Sequence, residues 1–138
     1  MTAAMSNDVT ERQRRASDPS ASAWVAANAG SGKTYVLVQR ILRLLLDGTD
    51  PSRILALTYT KAAAANMANR VFAALSAWAT QAEDELVAAL TTLTGQSPSP
   101  TQRAAARRLF AQALETPGGL KIETIHAFCT RVLQSAPF

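Results

Sequence analysis

This 138-residue chain has one cysteine, one histidine and few aromatic residues. Cys129 alone cannot form an intrachain disulfide, and with only His126 beside it no zinc cluster can be assembled. Charged residues are sparse, and no apolar run approaches the roughly 20 residues of a membrane-spanning helix. The stretch MTAAMSNDVTERQRR has no apolar signal core, so a cytoplasmic protein is expected. No apolar run ends in an Asp-Glu pair: Asp47 and Asp50 follow a helical stretch, and Glu83 to Glu85 open one. Hydrophobic residues nevertheless make up 48% of the chain, enough for one domain with its own core. The net charge of +4 and the pI near 9.8 are compatible with a polyanionic partner, but solvated basic faces account for most such excesses.

The stretch ANAGSGKT, Ala27 to Thr34, organises the rest. A short apolar run, Ala23 to Ala26, precedes it, and a helical run from Tyr35 to Leu46 follows. Strand, glycine-bearing loop and helix in that order describe a phosphate-binding loop. Gly30 and Gly32 allow backbone conformations that a side chain would block. The N–H groups of Ala27, Asn28, Ala29, Gly30, Ser31 and Gly32 could then form an anion nest at the positive end of the helix. Lys33 would reach the β- and γ-phosphates of ATP, and the Thr34 hydroxyl would bind Mg²⁺. The usual pattern opens on glycine, and Ala27 stands there instead. Read blandly, this is a small-residue turn with a solvated lysine.

Residues 1–9 read as a loose tail. A short helix is expected from Thr10, with Thr10 as N-cap and Gln13 at the capping-box position, until Asp18-Pro19-Ser20 stops it. Gln13 is either that cap or a polar contact to a base, and spacing favours the cap. A strand is expected at 23–27. The next helix buries Val38, Ile41, Leu42 and Leu45, leaves Arg40 and Arg43 off that stripe, and ends at Gly48 and Pro51. Ile54 to Thr60 reads as a second strand parallel to the first, in a βαβ unit. Thr58, Tyr59, Thr60 and Lys61 fall at its carboxyl end, where hydroxyls, an aromatic face and a cation suit a phosphodiester and a base. A strand end with Thr60 as N-cap explains them equally well.

Met67, Val71, Leu75 and Trp78 form the stripe of the following helix. Residues 82–94 form another, with Leu86, Leu90 and Leu93 inward and Gly95 closing it. Ser99-Pro100-Thr101-Gln102 carries a capping box and a proline at the first helical position. That helix should bury Ala106, Leu109, Phe110, Ala113 and Leu114 and expose Arg103, Arg107 and Arg108. The default for those arginines is a solvated face, with a phosphate-tracking strip as the alternative. Leu120 to Glu123 reads as a third strand. Thr124 then opens a helix whose stripe, Ile125, Phe128, Cys129, Val132 and Leu133, should place Cys129 in the core as an inert thiol. His126, in the first turn, is open to a hydrogen-bonding or phosphate-contacting role.

ANAGSGKT, LTYTKAAAANMANRV and TIHAFC occur in this order, each at an expected strand-to-helix junction. In that combination the chain resembles the N-terminus of UvrD/Rep-like DNA helicases, and is most similar to the AddA-type subunits of bacterial AddAB double-strand-break repair helicase–nucleases. The segment ETPGGLKIETIHAFC strengthens the AddA-type likeness, which runs from about Gln13 to the chain end. The resemblance implies an α/β P-loop NTPase (RecA-like) partial domain, with parallel strands at about 23–27, 53–59 and 120–123 in an incomplete sheet. Residues 10–138 would be the N-terminal portion of motor domain 1A, truncated before the Walker B carboxylates, with a helical insertion at about 82–116.

By the same resemblance Gln13 reads the adenine, and Lys33 and Thr34 serve phosphate and Mg²⁺. Thr58, Tyr59, Thr60 and Lys61, together with Thr124 and His126, line a DNA track. The implied partners are single- and double-stranded DNA and an AddB-like subunit. Asn66 stands where the family pattern usually has Glu, and Tyr59 where Phe is common. A different P-loop enzyme, such as a small-molecule kinase, would need a lid of arginines and an acceptor pocket. A truncated module that binds nucleotide weakly or not at all, and catalyses nothing, is the alternative.

Overall fold

Apolar residues recurring every three or four positions demand helices with one buried face, and the computed structural model, which describes residues 2–28 and 32–137, is built from six of them among the described residues. They are α1 (Thr2–Ala16), α2 (Lys33–Leu46), α3 (Lys61–Thr80), α4 (Glu83–Thr94), α5 (Pro100–Glu115) and α6 (Ile125–Gln134). Two strands, β1 (Leu55–Thr58) and β2 (Lys121–Thr124), pair in parallel, with Leu55 opposite Lys121 and Thr58 opposite Thr124. The chain is α/β, and α3, α4 and α5 form the crossover between the strands. Among the described residues, no helix is long and apolar enough to cross a membrane.

The core lies where the stripes of α2, α3, α4 and α5 meet. Val38, Ile41, Leu42 and Leu45 of α2 face Met67, Val71, Leu75 and Trp78 of α3, joined by Leu86, Leu90 and Leu93 of α4 and Ala106, Leu109 and Ala113 of α5. Leu75, Leu86 and Leu90 are fully enclosed, each contributing about 1.5–3 kcal/mol by leaving water. Leu114, expected on the buried face of α5, is exposed.

The ends of these helices follow from local chemistry. Gly48 adopts φ +93°, and Thr49 N–H and Gly48 N–H donate to Leu44 and Leu45 carbonyls, closing α2 in a Schellman turn. Ser99 and Gln102 form the expected reciprocal capping box on α5. Helix α1 departs from expectation: it begins at Thr2, so Thr10 lies inside it and the region read as a loose tail is helical. Asp8 and Arg12 pair at i,i+4, and Glu11 and Arg14 at i,i+3, carrying the helix through the expected cap. Gln13 is therefore in the last turn of α1 and not a capping-box residue.

The larger correction concerns the sheet. The segment at 23–27 is exposed and joins no ladder. Its largest side chain, Trp24, stays 94% exposed, so burial does not hold the segment against the sheet. The parallel pair is β1 with β2, and not the 23–27 segment with the 54–60 run. In β1 only Ala56 is buried, while Leu55 and Leu57 stay 43% and 40% exposed. Helix α6 buries no residue, so Ile125, Val132 and Leu133 are exposed and Cys129 is an exposed free thiol. The stripe expected on α6 exists, but no neighbour covers it among the described residues.

Candidate nucleotide and nucleic-acid sites

Lys33 and Thr34 form the first turn of α2, and the helix N-terminus receives no side-chain cap. The leading N–H groups of a helix have no intrahelical partners and carry the positive end of its dipole. Gly32 precedes them with φ +91°, a conformation that a side chain would strain. Lys33 Nζ donates to the Ala27 carbonyl at 2.5 Å, so the lysine folds back across the base of the loop. Asn28 is exposed, and Ala29, Gly30 and Ser31 lie outside the described residues.

Gln13 reaches this loop from α1. Its Nε2 stands 2.9 Å from where a Cβ on Gly32 would lie. Gln13 also lines a small hollow with Thr10, Arg14, Tyr35, Gln39 and Thr92. A carboxamide there can donate and accept at once, the pattern that reads the edge of an adenine. The described residues hold no group of three or more metal-ligating side chains. The donor at hand is the exposed Thr34 hydroxyl, which fits Mg²⁺ held mainly by phosphate oxygens and water.

Two arginines that the sequence placed merely off the apolar stripe tie α1 to α2. Arg43 Nη1 donates to Arg14 O at 2.9 Å and to Ser17 Oγ at 3.3 Å, and Arg43 Nη2 lies 3.8 Å from Asp18 Oδ1. Arg40 Nη1 donates to Asp18 O at 2.8 Å and Ala16 O at 3.3 Å, and its Nη2 to Ala21 O at 2.6 Å. Asp18 accepts from Ser20 N–H, which together with the Ser20 side chain and then the two arginines holds its carboxyl below the ordinary range. No sequence spacing announces these long-range contacts.

The second and third expected groups come together at the sheet. Thr58 and Thr124 are register partners at the carboxyl ends of β1 and β2. Thr60 and Thr124 cap α3 and α6, accepting from Ala63 N–H and Ala127 N–H, each at 3.1 Å. Thr58 Oγ1 donates to the Thr60 carbonyl at 3.0 Å. The capping roles are thus real, yet the side chains around them stay open: Tyr59 is 88% exposed, and Lys61 and His126 are exposed. Lys33 and Thr34 are not joined to this edge by a strand, because the 23–27 segment is unpaired.

The arginines of α5 have structural duties. Arg107 donates to the Trp78 and Gln81 carbonyls at the end of α3, and Arg103 and Arg107 both pair with Glu83 of α4. The Arg107 hydrogen bond is the main reason that the Glu83 carboxyl sits below its ordinary range. Of that row only Arg108 is exposed.

A UvrD/REP helicase N-terminal domain profile matches residues 9–138. The chain belongs to that family. Among curated relatives of this UvrD/REP-family chain is the AddA-type ATP-dependent helicase/nuclease of Lactiplantibacillus plantarum, 36% identical over 110 residues, covering 80% of this chain and 8% of the relative. The protein of the same name in Lactobacillus acidophilus is 33% identical over 124 residues, 90% of this chain and 8% of the relative. That of Lactobacillus gasseri is 45% identical over 67 residues, 49% of this chain and 6% of the relative. The chain therefore spans under a tenth of the length of these relatives. No solved structure matches it.

Proposed function

We propose that this chain forms the nucleotide-binding face of an ATP-dependent DNA helicase or translocase acting in double-strand-break repair. The observation that carries the reading is the meeting of Gln13 with Gly32 at the start of α2, directly before Lys33 and Thr34. Base, phosphate and metal functions would then lie within one loop and two helices. Lys33 neutralises the β- and γ-phosphates, Thr34 joins the Mg²⁺ shell, and the helix end takes the remaining negative charge. The N-terminal portion of a helicase motor domain, with α4 and α5 as a helical insertion, accounts for the order of elements. Tyr59, Lys61 and His126, beside Thr58, Thr60 and Thr124, would meet DNA at the strand ends. The AddA-type relatives suggest that in the longer protein this face would work with an AddB-like subunit.

For the 138-residue chain alone, binding without turnover is the second reading. It is favoured by the absence, within these residues, of a strand ending in an acidic pair: phosphoryl transfer needs groups to hold metal and orient water, and Lys33 and Thr34 offer none to orient the water. Titration calorimetry with MgATP tests the first reading. Lys33→Ala should abolish binding while the helical circular dichroism signal persists. Equal affinity in the mutant and the parent would sink the phosphate-loop assignment.

A further inference from the structure

From residue 7 to residue 12 helix α1 is exposed, and it turns inward only at its last turn. The carbonyls of a last turn have no intrahelical donors and need partners from elsewhere. Arg43 supplies one to Arg14 O and Arg40 one to Ala16 O, and Arg40 also holds Asp18 O and Ala21 O just beyond the helix. Both arginines stand on α2 at i,i+3, hence on one face of the helix that begins with Lys33 and Thr34. Gln13 sits within the gripped turn, its carbonyl accepting from Ser17 N–H at 3.0 Å, while Ser17 is itself held by Arg43. The place of the Gln13 amide against Gly32 is thereby referred to the same rigid helix that presents the phosphate-binding lysine.

We infer that Arg40 and Arg43 are positioning residues, which hold the Gln13 carboxamide where it reads the edge of a purine base. The inference rests on the nucleotide reading above and adds to it what holds the base-reading amide in place. A guanidinium fork is required, because Arg40 must serve three carbonyls at once, and Arg43 a carbonyl, a hydroxyl and a carboxylate. Neither arginine touches the nucleotide. Their loss should therefore spare phosphate binding and loosen only the choice of base.

The test compares MgATP, MgGTP and magnesium tripolyphosphate on the full 138-residue chain by calorimetry. The parent should prefer ATP over GTP by about ten-fold or more, the scale of one good bidentate contact to a base edge. Gln13→Ala should erase that preference. Arg43→Gln and Arg40→Gln should each reduce it several-fold, with tripolyphosphate affinity held within about two-fold. In the Gln13→Ala background, adding Arg43→Gln should change the preference no further, a coupling that general loosening of the fold would not produce.

An unchanged ATP preference in both arginine variants overturns the inference. So does an equal loss of all three ligands in a still-helical variant, or an effect of Arg43→Gln that persists without Gln13. If an arginine variant fails to fold, Arg40→Lys and Arg43→Lys decide. They keep the charge without the fork, so a retained preference overturns the inference. A parent that binds tripolyphosphate through Lys33 but shows no base preference refutes the inference and leaves the phosphate reading intact. A parent that binds none of the ligands refutes both.

Discussion

The amide of Gln13 and the bare α-carbon of Gly32 occupy neighbouring space: Nε2 lies 2.9 Å from the point a Cβ would take. With φ at +91°, a side chain at Gly32 is strained, and its Cβ would push the flexible Gln13 amide aside. Gly32→Ala should cost about 1–2 kcal/mol in backbone strain and displace Gln13. Thermal melts should show the destabilisation, and calorimetry should show weakened MgATP binding. An alanine variant with parental affinity would mean that the Gln13–Gly32 approach is irrelevant to the ligand.

Tyr59 offers a bare ring at the mouth of β1. Stacking of a base on such a ring is worth about 1–3 kcal/mol, and an adjacent lysine contributes about one phosphate contact to the salt dependence. Tyr59→Ala should weaken single-stranded DNA binding with an unchanged salt slope, whereas Lys61→Ala should flatten the slope. Fluorescence anisotropy across a salt series separates the two. DNA affinity indifferent to Tyr59→Ala would remove the stacking role.

Glu83 links α4 to α5 through Arg107 and Arg103. Its carboxyl is lowered first by the Arg107 hydrogen bond, then by the charges of Arg103 and Arg107, against desolvation. A carboxyl lowered on folding binds fewer protons in the native state, so its contribution is present above the ordinary glutamate range. It is lost as pH falls through the lowered native value. Urea midpoints should therefore fall on acidification in the parent and fall less steeply in Glu83→Gln. Identical acid profiles would show that the Arg103–Glu83–Arg107 group has no net effect on stability.

Cys129 should react with one equivalent of iodoacetamide in the native protein, because its helix face is uncovered. Mass spectrometry before and after urea checks this. A thiol that reacts only in denaturant would show that the α6 stripe is covered in solution.

That last contrast shows where the sequence was readable. The stripes of α2, α3 and α4 could be read because their partners are helices near in sequence, and burial of Val71, Leu75 and Leu86 follows from periodicity alone. The same reasoning placed Cys129 and Leu133 inside, since a stripe says which side wants burial and not whether anything lies against it. Leu120–Glu123 was legible as a strand from its alternation, close to the observed Lys121–Thr124. Ala23–Ala27 was not, for extended backbone becomes a strand only when another edge accepts its hydrogen bonds. At the candidate site, Lys33 and Thr34 follow from local pattern. The grip of Arg40 and Arg43 spans up to 29 residues of chain and leaves no local mark.

The pairing of Thr58 with Thr124 has a geometric consequence. Helix α6 opens directly after Thr124 and α3 after two more residues beyond Thr58, so both start from strands held one spacing, about 4.8 Å, apart. Main-chain hydrogen bonds set that gap. The sheet is a ruler, and mutation of Tyr59, Lys61 or His126 changes what is touched at its graduations without altering the scale.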